Sequence, residues 1–242
     1  MKVIKLDAID STNDFLKGLS NKQQLENFTV VTAVNQTKGK GQMGSIWDSE
    51  VGKNLTMSVF IKDYLVDVNQ IFRLNIGVAI SIVQALETFN IPNLMIKWPN
   101  DIMSYNYKIG GILIENSIKS DGTVHSIVGL GLNVNQINFV NLPKASSLAL
   151  ICHAQFDKEK IMCRIVEKIK QNIAIMNEDP VSLWQEYTNR LFKKGIPVPF
   201  KDNSNQNFMG IIQGVSSYGK LQILLEDDSI SEFSIKEIQM LY

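Results

Sequence analysis

The chain has 242 residues, 45% of them apolar, and its 24 basic side chains balance 24 acidic ones. That length allows one substantial core with room for a small second unit, and the neutral balance argues against a surface built to coat nucleic acid or an anionic membrane. Residues 1–7 lack the apolar core of a secretion signal, and no apolar run approaches a membrane span. Cys152 and Cys163 read as buried, reduced thiols of a cytoplasmic protein. With only His125 and His153 to join them, a disulfide or metal site is not expected.

In chain order, Val3–Leu6 reads as a short strand, and Asp10-Ser11-Thr12-Asn13 supplies N-cap residues for a helix carrying Phe15 and Leu16. Phe28–Val34 and Leu55–Ile61 are strands on either side of a glycine-rich loop. Ile71, Leu74, Val78, Ile82, Ala85, Leu86 and Phe89 keep helical spacing, and Pro92 marks the end of that helix. Leu94–Trp98 is extended, and Ile109–Glu115 and Ser126–Val134 read as central strands. From Asp157 a stripe of Ile161, Ile165, Ile169, Ile173 and Met176 predicts a helix. Pro180 opens another, with Leu183, Trp184, Tyr187 and Leu191. After Gly195 the texture changes to short alternating runs, Phe208–Val215, Lys220–Leu225 and Ile230–Ile235. The expected architecture is α+β, a mixed central sheet flanked by helices over 1–193, then a small β-barrel over 194–242.

The loop from Gln36 to Trp47 carries Gly39, Gly41 and Gly44 with Lys38 and Lys40. Glycines let backbone N–H groups approach an anion, and the lysines add charge where a phosphate or carboxylate would sit. The bare G-x-G-x-x-G spacing invites a dinucleotide reading, but that needs a helix directly after the glycines. Ser45–Asn54 has no helical period, and the next element is a strand. The chain also lacks the kinase motifs and the P-loop pattern. A flexible hairpin connection is the plainer alternative.

A second group is Lys97-Trp98-Pro99-Asn100-Asp101, followed by Lys108 and by Gly110-Gly111 within an apolar strand. Pro99 ends the ladder, leaving Asn100 and Asp101 at a strand tip. There a lysine, an amide and a carboxylate fit a phosphate contact, a polar donor or acceptor, and an outer-sphere partner for magnesium. A hairpin over 102–107 would bring Lys108 back to that tip. Gly110 and Gly111 weaken a strand unless a ligand or another backbone comes close. Gly129 to Asn135 is a third small-residue stretch, in which Asn133 is either an adenine reader or a turn residue.

Taken in this order, Ser11-Thr12-Asn13, the glycine loop ending at Trp47, the K-W-P-N-D pentad with Lys108, and Gly129 to Asn133 together resemble the biotin protein ligase family. The resemblance covers essentially the whole chain, more weakly in its C-terminal part. It implies a fold like that of class II aminoacyl-tRNA synthetases with an SH3-like barrel. It also implies an ATP-dependent ligase that forms biotinyl-5′-AMP and then biotinylates a lysine of a biotin carboxyl carrier protein. Biotin and MgATP would be the substrates, with no redox or zinc cofactor, and the protein would be a cytoplasmic monomer or weak homodimer. On this resemblance biotin would meet Ser11, Thr12, Asn13, Gln36, Lys40, Gly41, Gln42, Lys108, Gly110 and Gly111. ATP would meet Gly39, Trp47, Lys97, Asn100, Asp101 and Asn133, with Asp101 near magnesium and Lys108 and Lys40 catalytic. Two departures stand out: Lys40, Gln42 and Ser45 replace arginines usual in the family, and no DNA-binding segment precedes Ser11, as in monofunctional members. The loop's glycines and lack of apolar anchors predict a lid that orders on binding. A lipoate-type ligase or acyltransferase of related fold, and a non-catalytic biotin- or adenylate-binding regulator, are the alternatives.

Overall fold

A computed structural model describes residues 1–62, 64, 71–119, 122–140 and 142–242. The strands are β1 (Val3–Ile9), β2 (Val30–Gln36), β3 (Leu55–Lys62), β4 (Leu94–Lys97), β5 (Asp101–Ser104), β6 (Tyr107–Ile118) and β7 (Val124–Leu132). They form one mixed sheet in the order β1-β2-β3-β7-β6-β5-β4. Among its described strands β1 and β2 run parallel, and the other neighbours antiparallel. The helices are α1 (Thr12–Lys22), α2 (Ile71–Glu87), the short α3 (Leu148–Cys152), α4 (Lys158–Glu178) and α5 (Pro180–Asn189). Ser11 caps α1, Asp157 caps α4, and Asp179 caps α5 ahead of Pro180 at its first turn, as helix starts demand.

Strand alternation sorts the two faces of the sheet. Met57, Val59 and Ile61 of β3, Val128, Leu130 and Leu132 of β7, and Ile112 of β6 enter the main core with the apolar stripes of α2 and α4. On the other face the same strands carry Ser58, Gly111, Leu113, Glu115, Gly129 and Gly131. Phe60 and Ile127 alone join Leu16, Leu25 and Val31 in a smaller core under α1. One face is therefore packed solid. The other is left small and polar over its central strands, which makes room for a cavity.

Five further strands, β8 (Pro197–Asp202), β9 (Asn207–Val215), β10 (Leu221–Leu224), β11 (Ile230–Phe233) and β12 (Ile238–Met240), make an antiparallel sheet in the order β11-β10-β9-β8-β12. Its Val198, Phe200, Ile212, Leu221 and Ile223 belong to the same contiguous core as the large sheet. Backbone bonds from Ile96 to the Arg190 carbonyl (2.8 Å) and from Phe192 to the Ile96 carbonyl (2.8 Å) fasten the connection to β4.

Several expectations shift. β2 begins at Val30 because Phe28 takes a positive φ of 62° in the preceding turn. The stretch 102–107 does close a hairpin that returns Lys108 to Asp101, with 102–104 in β5, a turn at Tyr105 (φ 53°) and Asn106, and Tyr107 opening β6. α3, β8 and β12 have no counterpart in the sequence reading. The cysteines, expected to be buried, are not: Cys152 is half-buried and Cys163 exposed. Cys163 falls off the α4 stripe, between the buried Met162 and Ile165 and facing solvent.

Tyr187 is fully buried among α5, α2 and the C-terminal sheet, and its hydroxyl has no hydrogen-bond partner among the described residues. Burial pushes its phenol pKa far up. An unmade buried bond costs about 1–3 kcal/mol, so Tyr187→Phe is expected to unfold at or above the wild-type temperature, by up to about 4 °C. A thermal scan showing a lower Tm would mean that the hydroxyl has a partner.

Candidate active site

The open face of the sheet forms the floor of a cavity of about 670 Å³. The glycine loop, the β4–β5 turn and the C-terminal sheet wall it in. Lys40, Lys97, Lys108, Lys201 and Lys236 line it, against Asp101 and Asp202. Five ammonium groups facing two carboxylates favour an anionic ligand.

One end is a polar slot. Thr12 donates from its backbone N–H (2.8 Å) and its hydroxyl (3.0 Å) to Gln36 Oε1. Ser58 Oγ lies 2.8 Å from Thr12 Oγ1 and 2.6 Å from Asn13 Oδ1, and Asn13 Nδ2 donates to Glu115 Oε2 at 2.7 Å. Ser11, Thr12, Asn13 and Ser58 are buried. The helix cap that the sequence announces thus also arrays hydroxyl and amide groups at the cavity wall. Ser58 and Glu115 were missed because each looks like an ordinary strand residue. Only the sheet register, which sets them beside α1, gives them a role.

The middle of the floor is bare. Gly111 lies directly opposite Gly131 in the β6–β7 ladder, and Gly129 opposite Leu113. A Cβ on Gly131 would collide with the Trp47 indole, and one on Gly129 with the Asn13 amide. A Cβ on Gly111 would touch both Trp47 and the Lys108 ammonium, each at 3.5–3.6 Å. Trp47 therefore lies across the glycines, and its indole N–H is buried with no acceptor among the described residues.

The other end is cationic. Lys108 Nζ forms an ion pair with Asp101 Oδ1 at 2.6 Å and stands 5.8 Å from the Trp47 ring centroid. Lys97 Nζ lies 3.8 Å from the other oxygen of Asp101. Asn100 donates its amide to the Ile112 carbonyl at 2.6 Å, which fixes the turn against β6. Burial pushes the Lys97 ammonium below the usual lysine range; Asp101 opposes this, while Lys108 and Lys144 reinforce it by repulsion. The described residues hold no group of three or more His, Cys, Asp or Glu placed for a metal. Asp101, already shared by two lysines, suits an outer-sphere contact to a nucleotide-borne cation rather than a resident ion.

The glycine loop folds into a tight hairpin. Gly41 N–H donates to the Ser45 carbonyl (2.7 Å) and Trp47 N–H to the Gly39 carbonyl (3.0 Å). Ion pairs Lys38–Asp10 (2.8 Å) and Lys40–Asp14 (2.6 Å) tie it to the start of α1. The bond to Asp14 holds the Lys40 pKa above the usual lysine value, although the pair is exposed and screened. From the C-terminal sheet, Lys236 donates to the Met43 carbonyl at 3.0 Å.

Of the residues singled out from sequence, Ser11, Thr12, Asn13, Gln36, Lys40, Gly41, Gln42, Trp47, Lys97, Asn100, Asp101, Lys108 and Gly111 line one cavity. Gly39, Gly110 and Asn133 do not. Gly39 faces the Trp47 carbonyl, where a Cβ has no space, and Gly110 faces the Gly131 carbonyl and Leu132 inside the sheet. Asn133 is buried and donates its amide to the Ser146 carbonyl at 3.0 Å, bracing the segment before α3. The C-terminal contributors Lys201, Asp202, Asn203, Asn205, Lys236 and Gln239 were not foreseen. Their turns are polar without any motif, so nothing local marks them.

The site is thus an anion-seeking cavity on the glycine-floored face of a mixed sheet. The family model described as the biotin/lipoate A/B protein ligase family matches residues 6–133, more than half of the chain, and the chain belongs to that family. The bifunctional ligase/repressor BirA of Bacillus subtilis is 28% identical over 243 residues, covering 97% of this chain and 72% of that protein. The biotin--[acetyl-CoA-carboxylase] ligase of Mycobacterium tuberculosis is 25% identical over 195 residues, 79% of this chain and 71% of its own. Among solved structures, the biotin protein ligase from Aquifex aeolicus in complex with biotin and ATP superposes with a TM-score of 0.82 at 25% identity, covering 99% and 98% of the two chains.

The depressed Lys97 pKa carries a sign. Lys97 loses its charge at lower pH than a free lysine, so an anion held by it binds fully below that pKa and weakens above it. Among the described residues, Asp101, Lys108, Lys144 and Tyr242 are the charged or titratable groups facing it. The KM for an anionic substrate is expected to climb on the alkaline side, and at higher pH in Lys97→Arg, whose guanidinium stays charged. Superimposable pH profiles for the two proteins would exclude Lys97 as an anion contact.

Proposed function

We propose that this protein is an ATP-dependent biotin protein ligase that adenylates biotin and passes it to a lysine of a biotin carboxyl carrier protein in the cytoplasm. The observation that carries the reading is one cavity with a polar hydrogen-bonding slot at one end and a lysine cluster at the other, from which Lys108 reaches over a bare glycine floor. A ureido ring with a carboxylate tail suits the first half, and a polyphosphate suits the second. We read 1–193 as the catalytic unit and 194–242 as an SH3-like barrel that closes its phosphate end.

In the first step a biotin carboxylate oxygen forms a bond to the α-phosphorus of ATP, the Pα–O–Pβ bond breaks, and pyrophosphate leaves. The two anions repel, and the cost of bringing them together falls if fixed cations already stand where charge develops. Lys108 supplies that charge at the junction, with Asp101 holding it in place until the nucleotide competes for it. Magnesium would arrive on the triphosphate, with Asp101 and Asn100 facing its water shell. Trp47, seated over Gly111 and Gly131, is placed to cover the adenylate, and its free indole N–H is a donor for it. In the second step the carrier's neutral ε-amine attacks the acyl carbonyl, AMP departs, and the amine sheds one proton. No protein nucleophile is required.

Lys108→Ala is expected to lower biotin-dependent ATP–pyrophosphate exchange on the order of 10²–10³-fold while leaving a cooperative thermal transition. A rate within about twofold of wild type would remove Lys108 from the reaction. Gln42 lines the cavity where a cation is usual in the family. A charge-assisted hydrogen bond contributes about 1.5–3 kcal/mol, so Gln42→Arg is expected to slow escape of the adenylate by about tenfold or more. Release followed by rapid filtration checks this, and equal release rates would refute it.

A further inference from the structure

Lys144 and Tyr242 have no place in the reaction as described, yet both stand behind its cationic end. Residue 144 runs beside β6: its carbonyl accepts from the Lys108 backbone N–H at 2.7 Å, and Ser146 N–H donates back to the Lys108 carbonyl at 3.0 Å. The Lys144 ammonium lies 4.0 Å from the centroid of the Tyr242 ring, and the Lys97 ammonium 5.4 Å from the same centroid. The ring is seated edge-on against Phe192, 5.1 Å away at 71°. One aromatic ring therefore carries two ammonium groups.

The charge count explains why a ring serves here. Lys97 and Lys108 both pair with Asp101, and Lys144 adds its positive charge beside Lys97. Three positive charges and one negative leave an excess of two. A second carboxylate would hold the lysines equally well but would cancel the charge that an incoming anion needs. A π-face attracts ammonium groups through its quadrupole and leaves their net charge intact.

We propose that Tyr242 is a positioning residue whose ring gathers Lys97 and Lys144 into a subsite for the leaving pyrophosphate, with Lys144 as that subsite's third cation. This rests on the adenylation reading above. As the Pα–O–Pβ bond breaks, its electron pair stays on the pyrophosphate oxygen, so negative charge grows at the end of the cavity where these lysines converge. Neither Lys144 nor Tyr242 lines the cavity, so Lys144 acts on the leaving group through its charge, and Tyr242 acts through Lys97 and Lys144.

The test titrates inorganic pyrophosphate into the full-length protein by calorimetry and runs biotin-dependent ATP–pyrophosphate exchange in parallel. Tyr242→Leu and Lys144→Gln are each expected to weaken pyrophosphate binding, and to raise KM for pyrophosphate and ATP, by about fivefold, with the biotin KM held. Tyr242→Phe, which keeps the ring, restores most of the loss. Lys144 is exposed, so Lys144→Gln carries the test if Tyr242→Leu does not fold. Pyrophosphate affinity within about twofold of wild type in Lys144→Gln overturns the proposal, as does equal loss in Tyr242→Leu and Tyr242→Phe. A matching rise in the biotin KM marks a merely structural role and also overturns it. Pyrophosphate binding that follows the expected pattern in a protein without biotin-dependent exchange supports the subsite and sinks the biotin-adenylation reading instead.

Discussion

The ion pair of Lys108 with Asp101 spans 2.6 Å between β6 and the first residue of β5, and the cavity is arranged around keeping it there. A lysine without a nearby carboxylate would be repelled by the others at this end. A lysine fully neutralised would be of no use to two approaching anions. Sharing one carboxylate among several ammonium groups resolves the conflict, because the cluster is stable enough to fold and still carries surplus positive charge. The tight β4–β5 reversal makes this possible by bringing Lys97 and Asp101 opposite each other in the ladder.

The two sheets are mechanically joined at the same place. Trp98 donates its indole N–H to the Gly219 carbonyl at 2.9 Å, and Lys236 reaches the Met43 carbonyl of the glycine loop. The C-terminal sheet thus touches both the turn that holds the cations and the loop that covers the cavity. Phe72 packs where any side chain at residue 219 would stand, so α2 is pressed against the same junction. A small appended sheet whose core is continuous with the main one acts as a wall of the site rather than as a neighbour.

Much of the chain announces itself. The α2 and α4 stripes, the caps at Ser11 and Asp157, and the apolar β7 at the sheet centre are local patterns, legible because burial on one face imposes a period on neighbouring residues. The pentad and the glycine loop are legible for another reason: unusual residue types crowd together only where chemistry needs them. What stayed hidden is relational. Ser58 and Glu115 brace the cavity residues Thr12 and Asn13, and the C-terminal contributors line the cavity, because strands far apart in sequence are set side by side. Gly110 and Asn133, both suggestive by residue type, turned inward because strand alternation and a backbone partner at Ser146 left them no other direction. β8, with Pro197 and Pro199 in its short run, has little to mark it as a strand, and β12 is only three residues long.

The facing pair Gly111 and Gly131 has a further consequence. In most central strands an added methyl group strains the protein's interior, but here it would project into the ligand space and meet the edge of Trp47. That rung sets the depth of the binding chamber, and any side chain at residue 131 requires the indole to move. Because glycine has nothing to remove, substitution there can only fill space, which suits a trimmed substrate analogue, with the companion change made at the indole above it.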